Sequence, residues 1–138
     1  MTELVRLSLS LEQPLFRRLE EMARESNYEN RSAFVRDLIR TYLVEQAWEK
    51  NEEALGTITL VYNHHARCLN EKLTAIQHKY HHHVLATTHI HLDHDLCAEM
   101  IMAKGKAGEI KALCDKMKQV KGVLHATLAI SSTGKKLA

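Results

Sequence analysis

His89 and His91 stand two residues apart, and Cys97 and Glu99 follow a short polar stretch further along the chain. Imidazole and thiolate are both ligands for transition metals, so this grouping points to metal chemistry if the fold brings the side chains together. The stretch between them, Asp93-His94-Asp95, has turn composition. It is flanked by Val84 to Leu92 and Leu96 to Lys104, which read as the two strands of a hairpin. A three-residue loop pairs Leu92 with Leu96, His91 with Cys97 and His89 with Glu99. Directly opposed side chains have Cβ atoms about 4.5 to 5.5 Å apart, and His89 shares a face with His91 two residues along the strand. Two imidazoles and a thiolate therefore converge, and the hairpin leaves the fourth ligand to water, to Glu99 alongside, or to another chain. Mixed imidazole and thiolate ligation suits zinc, copper or nickel, and a planar nitrogen-rich set with one sulfur favours Ni(II) or Cu(II) over tetrahedral zinc. Three cysteines without CxxC spacing form neither a disulfide framework nor a zinc knuckle.

The elements needed to position these side chains can be read on either side of the hairpin. Gly56 to Tyr62 is rich in β-branched residues and reads as a strand, and Ala66, Leu69, Leu73 and Ile76 keep helical spacing to about His78. Lys79-Tyr80-His81-His82-His83 reads as a solvated loop, although its histidines could also compete with His78 for metal or form a weak second site. Ala107 to Val120 is an amphipathic helix with Ile110, Leu113 and Met117 inward, and Val123 to Ile130 is a last strand. The order βαββαβ defines a ferredoxin-like sandwich.

The first half of the chain carries different chemistry, since all 10 histidines lie beyond residue 50. Arg6-Leu7-Ser8-Leu9-Ser10-Leu11 alternates strictly, which places Arg6, Ser8 and Ser10 on one face of a strand and three leucines on the other. Pro14 opens a helix with Leu15, Leu19, Met22 and Ala23 in one stripe. Asn30 caps a second helix with apolar positions Val35, Leu38, Ile39, Tyr42 and Leu43. One strand before two helices cannot satisfy its own backbone hydrogen bonds, so it is expected to pair antiparallel with the same strand of a second chain. Arg6, Ser8 and Ser10 of both strands then form a ribbon narrow enough for the DNA major groove, and the start of the second helix, Asn30-Arg31-Ser32, is placed to clamp a phosphate. Residues 1 to 50 hold 8 Lys/Arg against 9 Asp/Glu, so any DNA contact must come from such a local cluster. This order resembles the ribbon-helix-helix repressors.

At 138 residues and 45% hydrophobic content, the chain suits one compact domain or two small ones that need partner subunits. The expected division is a DNA-binding domain over residues 1–50 and a metal-binding, tetramerising domain over 51–138, with the polar stretch Glu45 to Leu55 as the linker. No apolar run approaches the length of a membrane span, and the N-terminus lacks a secretory hydrophobic stretch, so a cytoplasmic protein is expected.

His89-Ile90-His91, followed by Asp95-Leu96-Cys97 and preceded by Gln77-His78, is similar to the metal-binding signature of the nickel-responsive regulator (NikR) family. The resemblance extends over nearly the whole chain. It implies an α+β protein, an N-terminal dimeric ribbon-helix-helix (βαα) followed by a ferredoxin-like ACT domain, acting as a nickel-dependent transcriptional repressor and not as an enzyme. It implies Ni(II) at a square-planar site of His89, His91 and Cys97 from one subunit and His78 from a neighbour across a tetramer interface, with Glu99 supporting the ligands. It implies that Arg6, Ser8 and Ser10 read a palindromic double-stranded operator. Ala33 departs from the family's glutamate, which puts in doubt an auxiliary cation site that would also use Asp37. Two other functions compete with this one: an ACT-type regulator of a small metabolite with incidental histidines, and a metalloenzyme with an open coordination position.

Overall fold

The computed structural model describes residues 3–138. It comprises two units, residues 3–43 with 136–138 and residues 44–135. The elements in chain order are α1 (Gln13–Glu25), α2 (Arg31–Glu49), β1 (Glu53–Asn63), α3 (Leu69–Lys79), β2 (Val84–His91), β3 (Leu96–Lys106), α4 (Ala107–Lys118) and β4 (Val123–Ser131).

In the first unit, Pro14 lies in the first turn of α1, where a missing backbone N–H costs nothing. The side chain of Asn30 accepts a hydrogen bond from the backbone N–H of Ala33 at 2.9 Å, capping α2 as expected. Ala23 and Phe34 are buried, Tyr28 meets Phe34 edge-on, and the Tyr28 hydroxyl donates to Asp37. Residues 3 to 11 carry no helix and no ladder within the single chain. Leu7 and Leu9 stay 76% and 64% exposed, and Leu15, Met22, Ile39 and Tyr42 are likewise bare. A single copy of this unit thus leaves most of its apolar stripe facing water.

The second unit is a four-stranded antiparallel sheet in the order β2-β3-β1-β4, with helices crossing from β1 to β2 and from β3 to β4. Burial alternates along β1, so that Ala54, Ile58, Leu60 and Tyr62 turn to the core that Leu69 and Leu73 of α3 and Ile110, Leu113 and Met117 of α4 complete. Gly56 lies on the same face, where a Cβ would stand 3.0 to 3.1 Å from Ile110, Leu128 and Trp48, so only the smallest residue lets these three close over the strand.

Two expectations need correction. The polar stretch from Glu45 is not all linker: α2 runs to Glu49 and β1 begins at Glu53. The reason is Trp48, which is 4% exposed in the core, with its indole N–H donating to the Ser131 carbonyl at 2.9 Å. One large aromatic among charged neighbours outweighs the polarity of the window. The α3 helix also starts later than the spacing suggested, at Leu69, because Cys68 adopts a left-handed backbone, φ 61°, immediately before it.

Candidate metal centre

The β2–β3 hairpin sets the centre of the site. Its register pairs His91 with Cys97 and His89 with Glu99, as the turn length implied. The turn is closed by Asp93, whose Oδ1 accepts the backbone N–H groups of Asp95 and Leu96, both at 2.8 Å. Those hydrogen bonds favour the carboxylate and hold Asp93 below the usual carboxylate range.

Cys97 is fully buried, and its Sγ lies 3.2 Å from His91 Nδ1. The rings of His89 and His91 are 5.2 Å apart between centroids. A third imidazole joins them from an element that the sequence reading did not connect to the site. In the β1–β3 register Tyr62 faces Cys97 and Asn63 faces Leu96, and the His64 backbone N–H continues the pairing by donating to the Asp95 carbonyl at 3.0 Å. Donor atoms of His64, His91 and Cys97 all lie within 4.8 Å of one another. Nδ1 of His64 is buried without a hydrogen-bond partner. Desolvation, then the neighbouring His65 and His91, lower the His64 pKa and favour the neutral, ligating form, against the opposing pull of Asp95.

His89 is steered by a hydrogen-bonded chain. Its Nδ1 is 3.1 Å from the Tyr62 hydroxyl, which is 3.4 Å from Glu99 Oε2, while Gln77 of α3 donates to Glu99 Oε1 at 2.9 Å. A hydroxyl has one proton, and an ionised Glu99 can only accept. If Tyr62 donates to Glu99, its lone pair takes the Nδ1–H of His89, and Nε2 of His89 is left with a free lone pair. Burial, followed by the charges of Glu99 and Cys97, pushes the Tyr62 pKa up to about 12, which keeps the phenol protonated for this task. Glu99, singled out in the sequence, thus reaches His89 only through Tyr62, which was not.

His78 is not in this cluster. It is exposed on the last turn of α3, its ring stacked on His81 at 5.8 Å, and its carbonyl meets His81 Nδ1 at 3.0 Å. His83 is not a free loop histidine either. Its Nε2 is 3.2 Å from Glu109, its Nδ1 is 3.3 Å from the Lys104 carbonyl, and its ring occupies the space a Cβ on Gly105 would take. Beside the first group lies a second, of the exposed residues His65, His94 and Asp95, in which His65 Nε2 is 3.2 Å from Asp95.

In the first unit, Arg6, Ser8 and Ser10 are exposed. Asn30 is occupied by its cap, and Arg31 lies 3.7 Å from Glu20 and over the Phe16 ring at 5.3 Å, with Ser32 exposed beside it. Both carboxylate oxygens of Asp37 already have protein partners, Tyr28 and, at 3.5 Å, Arg40.

A buried thiol, clustered imidazoles and a buried imidazole nitrogen without a hydrogen-bond partner fit a transition-metal binding domain of ferredoxin-like fold, joined to a two-helix unit whose described N-terminal segment makes no strand ladder. Comparison with known proteins agrees. Residues 55–131 match the family described as NikR C terminal nickel binding domain, and residues 5–46 match ribbon-helix-helix protein, copG family. Proteins named "Putative nickel-responsive regulator" are 44% identical over 135 residues in Solibacter usitatus, covering 97% of each chain, and 44% identical over 138 residues in Geobacter metallireducens, covering 99% of each. An uncharacterized Thermotoga maritima protein of known structure, 16% identical, superposes with a TM-score of 0.52 over 57% of this chain and 98% of its own, a likeness of fold alone. The chain belongs to the nickel-responsive regulator (NikR) family, which makes it a regulator and not an enzyme, and the ion of that family's C-terminal domain is nickel. Among the described residues no helix is long and apolar enough to cross a membrane.

Proposed function

We propose that this chain is a nickel-dependent DNA-binding repressor in which His89, His91 and Cys97 of one subunit and His78 of a second hold Ni(II) in a square plane, within a homotetramer. When bound, nickel would accept the lone pairs of imidazole and thiolate ligands from two chains and so would join them. The observation that carries the proposal is the path Gln77–Glu99–Tyr62–His89. It ties the end of α3, where His78 stands exposed, to the ring orientation of His89, so that ligand geometry and the position of α3 are coupled. A helix ordered in this way is a two-state element that metal can bias.

In the same reading, the segment from Arg6 to Leu11 pairs with its copy in a second chain, covers the bare leucines, and presents Arg6, Ser8 and Ser10 to the major groove of a palindromic operator. Asn30, Arg31 and Ser32 at the start of α2 meet the phosphate backbone. Two such dimers on one tetramer read separated half-sites.

The test is a Ni(II) titration of the metal-free protein followed by absorption spectroscopy, in wild type, Cys97→Ala and His78→Ala. Saturation at one nickel per chain is expected, with a thiolate charge-transfer band and a planar d–d band. Cys97→Ala should lose the charge-transfer band, and His78→Ala should lose the planar spectrum. Spectra indifferent to both substitutions would overturn the ligand set.

A further inference from the structure

The loop that leaves α3 holds three consecutive histidines, and the fold treats them differently. His81 and His82 are exposed, whereas the His83 side chain is only 25% exposed and sits in a socket built by β3 and α4. Its Nε2 lies 3.2 Å from Glu109 in the first turn of α4, and its Nδ1 lies 3.3 Å from the Lys104 carbonyl on β3. We propose that His83 is a positioning residue for the nickel response, a latch that holds the last turn of α3 in place before metal arrives and so presents His78 to the second chain. The proposal rests on the reading of His78 as a ligand and names what readies it.

Several observations carry it together. A Cβ on Gly105 would collide with the His83 ring, and the Gly105 backbone is not left-handed, so it is the ring that calls for a glycine there. The backbone of His83 is fixed as well. Its N–H donates to the Tyr80 carbonyl at 2.8 Å, and its carbonyl accepts the Lys104 N–H at 2.8 Å. These contacts fall where the β2–β3 register shifts between Val84 and Ala86, so the latch supplies at that point what regular pairing supplies elsewhere. A carbonyl and a carboxylate both accept, so a neutral ring serves one of them and a protonated ring serves both. Of the other charged groups nearby, Lys104 turns its ammonium to Glu53 at 3.7 Å, and Lys116 of α4 lies 5.1 Å above the Tyr80 ring. The Tyr80 ring is in turn 6.2 Å from that of His83. The loop is thus tied to α4 twice, at Tyr80 and at His83.

A helix end is the part that frays at least cost, because its last carbonyls lack partners inside the helix. At the end of α3 the C-cap is Tyr80 and not a glycine. The Tyr80 N–H is shared between the carbonyls of Ile76 and Gln77, and the His81 N–H donates to the His78 carbonyl at 3.2 Å. Holding Tyr80 and His83 therefore holds the turn that carries His78. A ligand already in place binds its ion more tightly than one that must first be ordered.

The test uses full-length metal-free protein in wild type, His83→Ala, Gly105→Ala, His78→Ala, and His78→Ala combined with His83→Ala. Gly105→Ala keeps every imidazole and only evicts the ring. Hydrogen exchange over residues 76–84 should be faster in both latch variants than in wild type, with β1 and α4 unchanged. Ni(II) affinity, read by chelator competition, should fall roughly 10-fold in each. Adding His83→Ala to His78→Ala should cost nothing further, because the latch acts through His78, whereas a merely structural role would cost the same in both backgrounds. Equal losses in the two backgrounds would overturn the proposal, as would unchanged exchange at the end of α3 in His83→Ala. So would a nickel loss in His83→Ala that Gly105→Ala does not reproduce, since His83 would then be a ligand itself. An unaltered planar spectrum in His78→Ala would overturn the ligand reading and the latch's role with it, whereas a spectrum lost there without coupling to His83 would overturn the latch alone.

Discussion

Tyr62 shows how a residue outside the ligand set can govern it. Its hydroxyl links Glu99 to His89, and its aromatic body is part of the core. Tyr62→Phe keeps the packing and removes the link. Nickel affinity should fall by roughly 10-fold, measured by chelator competition, with the planar spectrum retained because all four proposed ligands remain. The same residue predicts an alkaline effect. Its folded pKa, about 12, lies above the ordinary value of 10.0. The folded state therefore holds the proton more tightly, and the associated stability is complete below pH 10 and lost as pH rises through 12. Urea unfolding at pH 9 and pH 11.5 should show a steeper alkaline loss in wild type than in Tyr62→Phe, and equal slopes would refute the buried-phenol account.

At the scale of elements, the hairpin of β2 and β3 depends on its turn. Asp93 accepts the backbone N–H groups of Asp95 and Leu96, and this lowers its pKa. A lowered folded pKa contributes stability above the unfolded value near 3.8 that is lost as pH falls below it. Asp93→Ala should therefore lower Tm at pH 7, with the deficit shrinking by pH 3. Differential scanning fluorimetry across that range checks it, and a deficit that does not change with pH would mean the carboxylate charge is irrelevant to the turn. Because His91 and Cys97 flank this turn at its first paired positions, the variant should also loosen the nickel site while leaving the first unit intact.

For the whole molecule, the first unit presents the largest imbalance between composition and burial. Leu7, Leu9 and Leu11 line a groove of about 960 Å³ together with Phe16, Leu19 and Val35. Closing it with the same segment of a second copy, as proposed above, would account for so many exposed leucines in so small a unit. Leu9→Asp should dissociate the dimer in sedimentation velocity and abolish DNA binding while the second unit still takes nickel. A folded dimer in that variant would exclude the pairing. Arg6→Ala, by contrast, should leave assembly and nickel binding unchanged and cost specific DNA affinity about 1 to 3 kcal/mol, read by fluorescence anisotropy at fixed salt. Equal specific affinity in that variant would remove Arg6 from the base-reading face.

The features legible in the sequence were local ones. A three-residue turn set the pairing of His91 with Cys97 and of His89 with Glu99, since a hairpin's register follows from its loop length. Helical spacing and β-branched runs set the βαββαβ order in the same way. Tertiary structure decided the rest. His64 and Tyr62 reach the site because β1 inserts between β3 and β4, a pairing across more than thirty residues whose register no turn dictates. Trp48 became core and His83 turned to Glu109 through contacts that are also remote in sequence. Short-range pattern specifies how a segment folds and which face is apolar, whereas the partner of a non-local strand is settled only when the faces of all the elements are packed together at once.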